Sequence, residues 1–299
     1  MKIGLAAIGI DAGARPAAVQ ATAIAADRAG FSTLWAGEHV VLFDSHRSRY
    51  PYTESGRLPF EAAVDWLDPF ITLSFAGAVT TRIRLATGIC LLPEHNPLVI
   101  AKTIASLDHL SAGRMALGIG IGWMEEEFAA LGIPFERRAD RTREYVAAMR
   151  RLWGEGVSSF HGEFVNFDAV TACPKPRQGA RLPIVIGGES GAALRRAAEY
   201  GDGWYGLNLS VEEAQQRVTS LNRLLVERGR DPHSTEKIVA PFNKPFRPDD
   251  LARYKAAGID EVVLVESPPN DVAGIDSWVD GLAEKWLVPA STLHSAAGA

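Results

Sequence analysis

The sequence predicts a single α/β domain folded as a (β/α)8 barrel, the TIM-barrel fold, with insertion loops. Two observations predict it. Short apolar runs rich in Val, Ile and Leu alternate with helical segments along the chain, as buried parallel strands alternate with their crossover helices. These runs number about eight and fill the 299 residues, whereas an open doubly wound sheet usually has about six strands. We therefore expect one domain over residues 1–299.

Each predicted strand is a short apolar run bounded by Gly, Pro or polar residues. The first run is not followed by G-x-G-x-x-G, which argues against a dinucleotide-binding sheet. The predicted strands are Ile3–Ile8, Thr33–Ala36, Arg84–Ile89, Met115–Ile121, Pro183–Ile186, Gly203–Gly206, Ile238–Ala240 and Glu261–Val265.

The helices between the strands carry start and stop signals. Asp68-Pro69 and Asn96-Pro97 each combine a capping side chain with a proline suited to a first helical turn. Ser190 is the expected N-cap of a helix over residues 191–200. Gly113 follows the end of the helix that Asn96-Pro97 begins, and Gly258 follows the end of a later helix; a left-handed backbone conformation is common at such positions.

Two connections are too long to be simple barrel turns. Residues 38–65 follow the second strand and are rich in aromatic and basic residues, which predicts a lid over the catalytic face. Residues 154–182 contain alternating phenylalanines and predict a hairpin insertion. The tail, residues 290–299, has no apolar periodicity of its own, so we expect it to fray or lie on the surface.

Composition indicates a protein of the cytoplasm that acts on small molecules. A net charge of −5 gives no attraction to nucleic acid or to an anionic membrane, and no apolar stretch reaches the ~18 residues that a membrane span needs. The two cysteines, Cys90 and Cys173, lack CxxC spacing, which favours a reducing compartment and argues against a disulfide framework or a zinc site.

Catalytic groups of this fold come from the loops that follow the strands. Glycines crowd these positions, as expected where the backbone must closely approach a flat or anionic ligand. Gly187-Gly188, followed directly by a helix, would present free N–H groups to a phosphate, although Glu189 adds a negative charge there. The strand-end residues considered for cofactor binding are Thr87, Gly88, Ile89, Gly120, Gly122, Trp123, Gly187, Gly188, Glu189 and Ser190.

His39 is the histidine that directly follows a clear strand. At that location it can act as a general acid or base, or donate a hydrogen bond to a substrate oxygen. The alternative is a structural role. Glu38 is either the partner of His39 or a surface carboxylate, and the second interpretation is favoured here.

Other catalytic chemistries lack their usual residues. The remaining histidines show no HxH or HExxH spacing, so no metal site is predicted. Lys237 and Lys244 flank the seventh strand without a position suited to a Schiff base, and no G-x-S-x-G elbow is present. A barrel without its own nucleophile or metal favours a bound organic cofactor.

Two stretches, GIGIGWMEEEFAALGIPFERRADRTREYVAAMRRLWGEG within residues 118–156 and LPIVIGGESGAALRRAAEYGDGWYG at 182–206, resemble the luciferase-like monooxygenase superfamily, in particular its F-420-dependent branch. The segments LWAGEHV at 34–40 and ATGICLLPEHNPLVIAKTIASLDHLSAGRMALGIG at 86–120 are also similar to it. The resemblance covers the chain to about residue 206.

The resemblance implies a (β/α)8 barrel, usually dimeric, that binds reduced FMN or the deazaflavin F-420 in its mouth. Thr87-Gly88-Ile89 corresponds to a bulge behind the ring, often containing a non-prolyl cis peptide. Gly187, Gly188 and the residues after them match the phosphate-binding turn. His39 matches the histidine beside the reactive carbon in F-420-dependent dehydrogenases.

The chain departs from the sugar-phosphate dehydrogenases of that family. They carry a Glu after the glycines of the fourth strand, where this chain has Trp123, with Glu125, Glu126 and Glu127 downstream. This argues against oxidation of glucose 6-phosphate. Trp123 is either a wall of the cofactor or substrate pocket or a packed loop residue.

The leading hypothesis is hydride transfer between F-420 and a small organic substrate, with His39 as the catalytic residue. The alternatives are an FMN-dependent monooxygenase that uses oxygen, and a barrel that binds flavin without turnover. Basic residues at the rim would favour F-420, whose polyglutamate tail FMN lacks. The candidates for that rim are Lys102, Arg137, Arg138 and Arg177.

Overall fold

The computed structural model describes residues 1–295 and contains, within them, a closed barrel of eight parallel strands surrounded by helices. The order around the barrel follows the chain, and the closing pair joins the third and fourth barrel strands. The predicted TIM-barrel fold is confirmed. The strands are β1 (Lys2–Ala6), β2 (Thr33–Ala36), β3 (Arg84–Thr87), β4 (Cys90–Leu91), β5 (Met115–Gly120), β6 (Ser158–His161), β7 (Asn166–Val170), β8 (Ile184–Gly187), β9 (Gly203–Leu207), β10 (Glu236–Ala240) and β11 (Glu261–Val265).

The helices begin where capping residues predict. Asp68 accepts a hydrogen bond from the Ile71 N–H, and Asn96 accepts bonds from the N–H groups of the second and third residues of its helix. The helices are α1 (Pro16–Ala29), α2 (Pro69–Ala78), α3 (Pro97–Leu110), α4 (Glu125–Ala130), α5 (Arg138–Trp153), α6 (Gly191–Tyr200), α7 (Val211–Glu227), α8 (Asp250–Ala256) and α9 (Ile275–Ser295).

Side chains from the strands fill the inside of the barrel. Glu261, at the start of β11, is fully buried there, and its carboxylate accepts hydrogen bonds from Trp35 Nε1 (3.0 Å) and Thr33 Oγ1 (3.2 Å). Burial raises the pKa of Glu261. The interior apolar group contains Trp35, Ala86, Ala116, Val185, Tyr205, Ile238, Ala240 and Val263.

Two strands end earlier than predicted. β1 stops at Ala6, because the chain turns at Gly9, which has a φ of 89° and donates its N–H to the Gly13 carbonyl. The third barrel strand stops at Thr87 and resumes as β4, with Gly88 and Ile89 between the two pieces. The peptide bond joining Gly88 to Ile89 is cis, as the family resemblance implied.

Strands β6 and β7 lie in the long segment 154–182 and pair with each other as an antiparallel hairpin. Phe160 and Phe167 stack across this pair, with ring centroids 6.2 Å apart.

Within residues 1–295, none of the helices combines the length and apolar character that a membrane-spanning segment requires.

The expectation that residues 290–299 fray or lie on the surface is wrong for the first of these residues. Helix α9 continues through Ser295, and Ala290 is 2% exposed. The reason is helical spacing: Ala290 lies four residues after the buried Trp286 and so extends the buried face of α9. Residues 296–299 of the predicted tail lie outside the described residues.

Candidate active site at the barrel mouth

A cavity of about 510 Å³ opens at the carboxyl-terminal end of the barrel strands, a size typical of small-molecule sites. It is lined by strand ends and by loop 38–65. The predicted site residues that line it are His39, Gly88, Ile89, Gly120, Gly122, Trp123, Gly187, Gly188, Glu189 and Ser190. Thr87 does not line it, because its side chain is fully buried and donates a hydrogen bond to the Gly118 carbonyl (2.7 Å).

His39 stands at the wall of this cavity between two tryptophans. Its ring meets Trp66 and Trp123 edge to face, with centroids 5.0 Å and 5.9 Å away. Nδ1 lies 2.8 Å from Glu127 Oε2. Among the described residues Nε2 has no hydrogen-bond partner, so it is the ring nitrogen left for a ligand.

Glu127 of α4, which the sequence did not single out as a site residue, orients His39. Its side chain is fully buried. Oε1 accepts hydrogen bonds from the N–H groups of Val40 (2.6 Å) and Val41 (3.2 Å), so the carboxylate is held in place independently of the histidine. With Nδ1–H donating to this carboxylate, neutral His39 carries its lone pair on Nε2, the form that accepts a proton from a ligand.

Glu38 is buried, and the expectation of a surface carboxylate is wrong. Adjacent residues in an extended segment point to opposite sides, so Glu38 faces away from His39. Oε2 accepts from the Leu91 N–H (2.6 Å), and Oε1 lies 2.9 Å from His95 Nε2. Burial opposes the charged forms of both groups, but their mutual hydrogen bond and opposite charges lower the pKa of Glu38 and raise that of His95.

Glu38, Cys90 and His95 bring three potential metal-ligand atoms within 4.8 Å of one another, a grouping that spacing rules missed because the residues come from three separate segments. Hydrogen bonds from Leu91 N–H, His95 and the Cys90 thiol already satisfy this carboxylate. That network accounts for its burial without an ion.

Glu94 is buried, and neither of its carboxyl oxygens forms a hydrogen bond with any described residue. Burial first, and the charges of Glu127 and Glu38 next, raise its pKa to about 9. Glu94 is therefore a neutral acid at pH 7. A Cβ on Gly122, which lines the cavity, would lie 3.1 Å from Glu94 Oε1, so this acid lies close behind the cavity wall.

The substitution Glu94→Gln is expected to reduce the pH dependence of stability. A carboxyl whose pKa is raised on folding stabilises the native state most at low pH, and that contribution is lost as the pH rises toward about 9. The free energy of unfolding of the variant relative to the parent should increase by about 1–3 kcal/mol between pH 5 and pH 8. Urea unfolding at several pH values measures it. The exposed Glu155→Gln is the control, and a pH-independent difference for Glu94→Gln would contradict the assignment.

The Gly88-Ile89 bulge requires glycines around it. The Ile89 side chain lies between Gly120 and Gly187, and a Cβ on Gly187 would lie 2.7 Å from Ile89 Cδ1. A Cβ on Gly88 would lie 3.0 Å from Trp35. The Ile89 and Trp35 side chains thus occupy the space that a side chain at these glycines would need, and the glycine backbone lines the cavity, where a ligand can approach it closely.

The turn after β8 has the features of an anion site. Gly188 has a φ of 112°, and Ser190 caps α6 by accepting the Ala193 N–H (3.1 Å). Arg196 of α6 lines the same cavity. The four basic residues predicted for the rim do not line the cavity. Arg137 pairs with Glu163, and Arg138 donates to the Gly122 carbonyl. Lys102 donates to the Cys173 carbonyl, and Arg177 packs near Gly113.

Loop 38–65 closes over the cavity and is tied to the barrel by further hydrogen bonds besides those to Glu127. Glu126 accepts hydrogen bonds from the N–H groups of Arg47 (2.6 Å) and Ser48 (3.3 Å). Asn208 donates to the Tyr52 carbonyl (3.2 Å). Whether the loop opens as a lid stays a prediction, but its aromatic side chains face the ligand space.

A parallel barrel with a glycine-lined cavity, a glycine turn leading into a helix and a carboxylate-oriented histidine at one mouth is typical of cofactor-dependent barrel oxidoreductases. The family model described as luciferase-like monooxygenase matches residues 4–257. The chain belongs to the luciferase-like monooxygenase family and is an enzyme of that oxidoreductase class.

Curated relatives agree with this placement. An uncharacterised protein of Mycobacterium tuberculosis is 37% identical over 286 residues, covering 95% of this chain and 98% of the relative. An F420-dependent hydroxymycolic acid dehydrogenase of the same organism is 28% identical over 255 residues, covering 82% of this chain and 66% of the relative.

Solved structures share the fold at low sequence identity. The coenzyme F420-dependent tetrahydromethanopterin reductase of Methanopyrus kandleri superposes with a TM-score of 0.74 at 16% identity, covering 96% of this chain and 98% of that one. The monooxygenase RslO1 of Streptomyces bottropensis gives 0.72 at 21% identity, covering 96% and 99%.

Proposed function

We propose that the protein transfers hydride between F-420 and a small organic substrate. One observation carries the proposal: His39 presents a free Nε2 to a cavity lined by strand-end glycines, while its Nδ1 is fixed by buried Glu127. The similarity to an F420-dependent dehydrogenase supports the same class of cofactor.

The residues present fit such a cofactor. Gly88 and Ile89 would lie against the ring, and the N–H groups of the first turn of α6, with Arg196 nearby, would hold the phosphate. F-420, when bound, supplies a ring carbon that accepts or donates hydride.

His39 would handle the proton that accompanies hydride transfer. Nε2 accepts the proton of a substrate hydroxyl in oxidation or donates one to a carbonyl oxygen in reduction. Glu127 stabilises the protonated ring, since its carboxylate contacts Nδ1. Trp66 and Trp123 pack edge-on against His39, whose side chain is 6% exposed, so little bulk water reaches the ring.

A second candidate is an FMN-dependent monooxygenase. The rim cations expected for a polyglutamate tail do not line the cavity, and a single phosphate at the turn after β8 satisfies the shorter FMN equally well. The similarity to a monooxygenase of the same fold is compatible with this alternative.

Parallel fluorescence titrations with F-420 and FMN test the proposal. Micromolar or tighter binding of F-420, followed by substrate-dependent bleaching of its absorbance, is the expected result. Tight FMN binding with no response to F-420 would replace the proposal with the monooxygenase alternative. Binding of neither cofactor would contradict both.

We also propose that the enzyme is a homodimer that works on small molecules in the cytoplasm. Helices α2 and α3 pack side by side, and each exposes large apolar side chains. Ile71 (71% exposed) and Phe75 (41%) come from α2, and Val99 (65%) comes from α3. Such a face suits a second copy of the chain. The net charge of −5 disfavours nucleic acid and anionic membranes as partners, and the two free cysteines suit a reducing compartment such as the cytoplasm.

The double substitution Ile71→Asp with Val99→Asp is expected to convert the dimer to a monomer, because it places two charges in the apolar contact. Light scattering coupled to size exclusion measures the mass. Val226→Asp, an equally exposed valine on α7, is the control and should stay dimeric. A parent protein that is already monomeric would contradict the proposal.

A further inference from the structure

Glu189 connects three parts of the molecule through one carboxyl group. It follows Gly187 and Gly188 at the end of β8 and lines the cavity. Oε1 accepts a hydrogen bond from the Leu207 N–H at the end of β9 (2.6 Å), and the Tyr52 hydroxyl donates to the same carboxyl. The group therefore bridges the anion-binding turn, the barrel rim and loop 38–65.

Aromatic contacts connect Tyr52 with His39. The Tyr52 ring packs against Tyr50 at a centroid distance of 5.3 Å, and Tyr50 packs against Trp123 at 5.3 Å. Trp123 in turn contacts His39. A series of aromatic contacts thus runs along the cavity wall from Glu189 to His39.

Glu189 lacks an ion-pair partner among the residues that the structure describes. Tyr50 and Tyr52 face it from the loop, Tyr205 faces it from β9, and Arg217 of α7 exerts a favourable but distant charge. Burial raises the pKa of Glu189 to about 7 despite its hydrogen bonds and Arg217. The carboxyl is therefore divided between charged and neutral forms near neutral pH.

We propose that Glu189 is a positioning residue that ties loop 38–65 to the barrel, and that it takes up a proton when a phosphate-bearing ligand binds at the adjacent Gly187-Gly188 turn. The inference rests on the proposed cofactor site. An anion beside a carboxylate in a partly dry cavity disfavours the charged form, so the bound state keeps Glu189 neutral. The neutral acid can still accept from the Leu207 N–H and from the Tyr52 hydroxyl, so the loop tie survives ligand binding.

The sign of the pH effect follows. Below pH 7 much of Glu189 is already protonated, and binding needs little proton uptake. Above pH 7 each binding event must also protonate the carboxyl, so affinity for a phosphate-bearing ligand falls. We expect the Kd of FMN to rise about fivefold from pH 7 to pH 8. Riboflavin, which lacks the phosphate, should show no such change.

Calorimetric titration of the full-length protein with FMN and with riboflavin, at pH 8 in two buffers of different ionisation enthalpy, measures the proton uptake. The parent should take up most of one proton with FMN and none with riboflavin. Glu189→Gln, which keeps an acceptor but does not titrate, should take up none with either. Glu199→Gln, an exposed carboxyl on α6, is the control and should behave as the parent. Equal uptake in the parent and in Glu189→Gln, or no uptake in the parent, would overturn the inference.

Hydrogen exchange without any ligand tests the loop tie separately. Glu189→Ala should accelerate exchange in loop 38–65 about fivefold, through loss of the bond to Tyr52, and Glu189→Gln should largely restore protection. Unchanged exchange in Glu189→Ala would overturn the positioning role. Failure of both FMN and F-420 to bind would contradict the proposed function and the proton uptake, while this exchange result would still decide the tie.

Discussion

Replacement of His39 by alanine is expected to lower kcat by about a hundredfold to ten-thousandfold, the range lost when a general acid or base is removed. The reason is positional: Nε2 is the nitrogen that faces the cavity, and no other described imidazole lines it. Cofactor affinity should change little, because the residues proposed to hold the cofactor, Gly88, Ile89 and the turn after β8, lie on other strands. Stopped-flow turnover and a fluorescence titration measure the two effects.

The matched control is His161→Ala. His161 also contacts a carboxylate, Asp168 (3.0 Å), but it does so on the exposed hairpin away from the barrel mouth. Its removal should leave kcat and cofactor affinity unchanged. Retained kcat in His39→Ala would remove this residue from the mechanism and favour the monooxygenase alternative.

The substitution Gly118→Ala is expected to lower the free energy of unfolding by about 2–4 kcal/mol, more than any other substitution considered. A Cβ at this position in β5 would overlap the Thr87 carbonyl oxygen, a backbone atom of β3 that cannot swing away. The same change would displace the Gly88-Ile89 bulge, so cofactor affinity should fall as well. Thermal unfolding and cofactor titration measure the two losses.

Gly281→Ala is the opposite case and serves as the control. Gly281 lies inside α9 with open space where a Cβ would be, so alanine should stabilise the protein by about 0.5–1 kcal/mol. An unchanged free energy of unfolding in Gly118→Ala would show that β3 and β5 can separate freely. That result would contradict the close approach of Gly118 to the Thr87 carbonyl, on which the bulge depends.

The barrel strands could be predicted because parallel strands covered on both faces have continuous apolar sequences. The early ends of β1 and β3 could not, since they depend on a left-handed Gly9 and on the break at Gly88 rather than on hydropathy. His39 could be assigned to the mouth by one rule, namely that catalytic groups follow strands.

The partners of the site histidines escaped prediction because they are tertiary contacts. Glu127 meets His39 across 88 residues of sequence, and His95 meets Glu38 across 57. A usable signal was present: three consecutive glutamates soon after the strand-end glycines of β5. Which of them points inward depends on where α4 begins, and spacing alone does not define that residue.

The central claim is that His39, Gly88 and Gly187 surround one planar ring at a single barrel mouth. A crystal structure of the protein with oxidised F-420 tests it most directly. The account predicts the ring against Gly88 and Ile89, its phosphate at the turn after Gly187, and His39 Nε2 facing the reactive carbon across the substrate space. A ring bound outside the mouth, or one with His39 on the far side of the Gly88-Ile89 bulge, would contradict it.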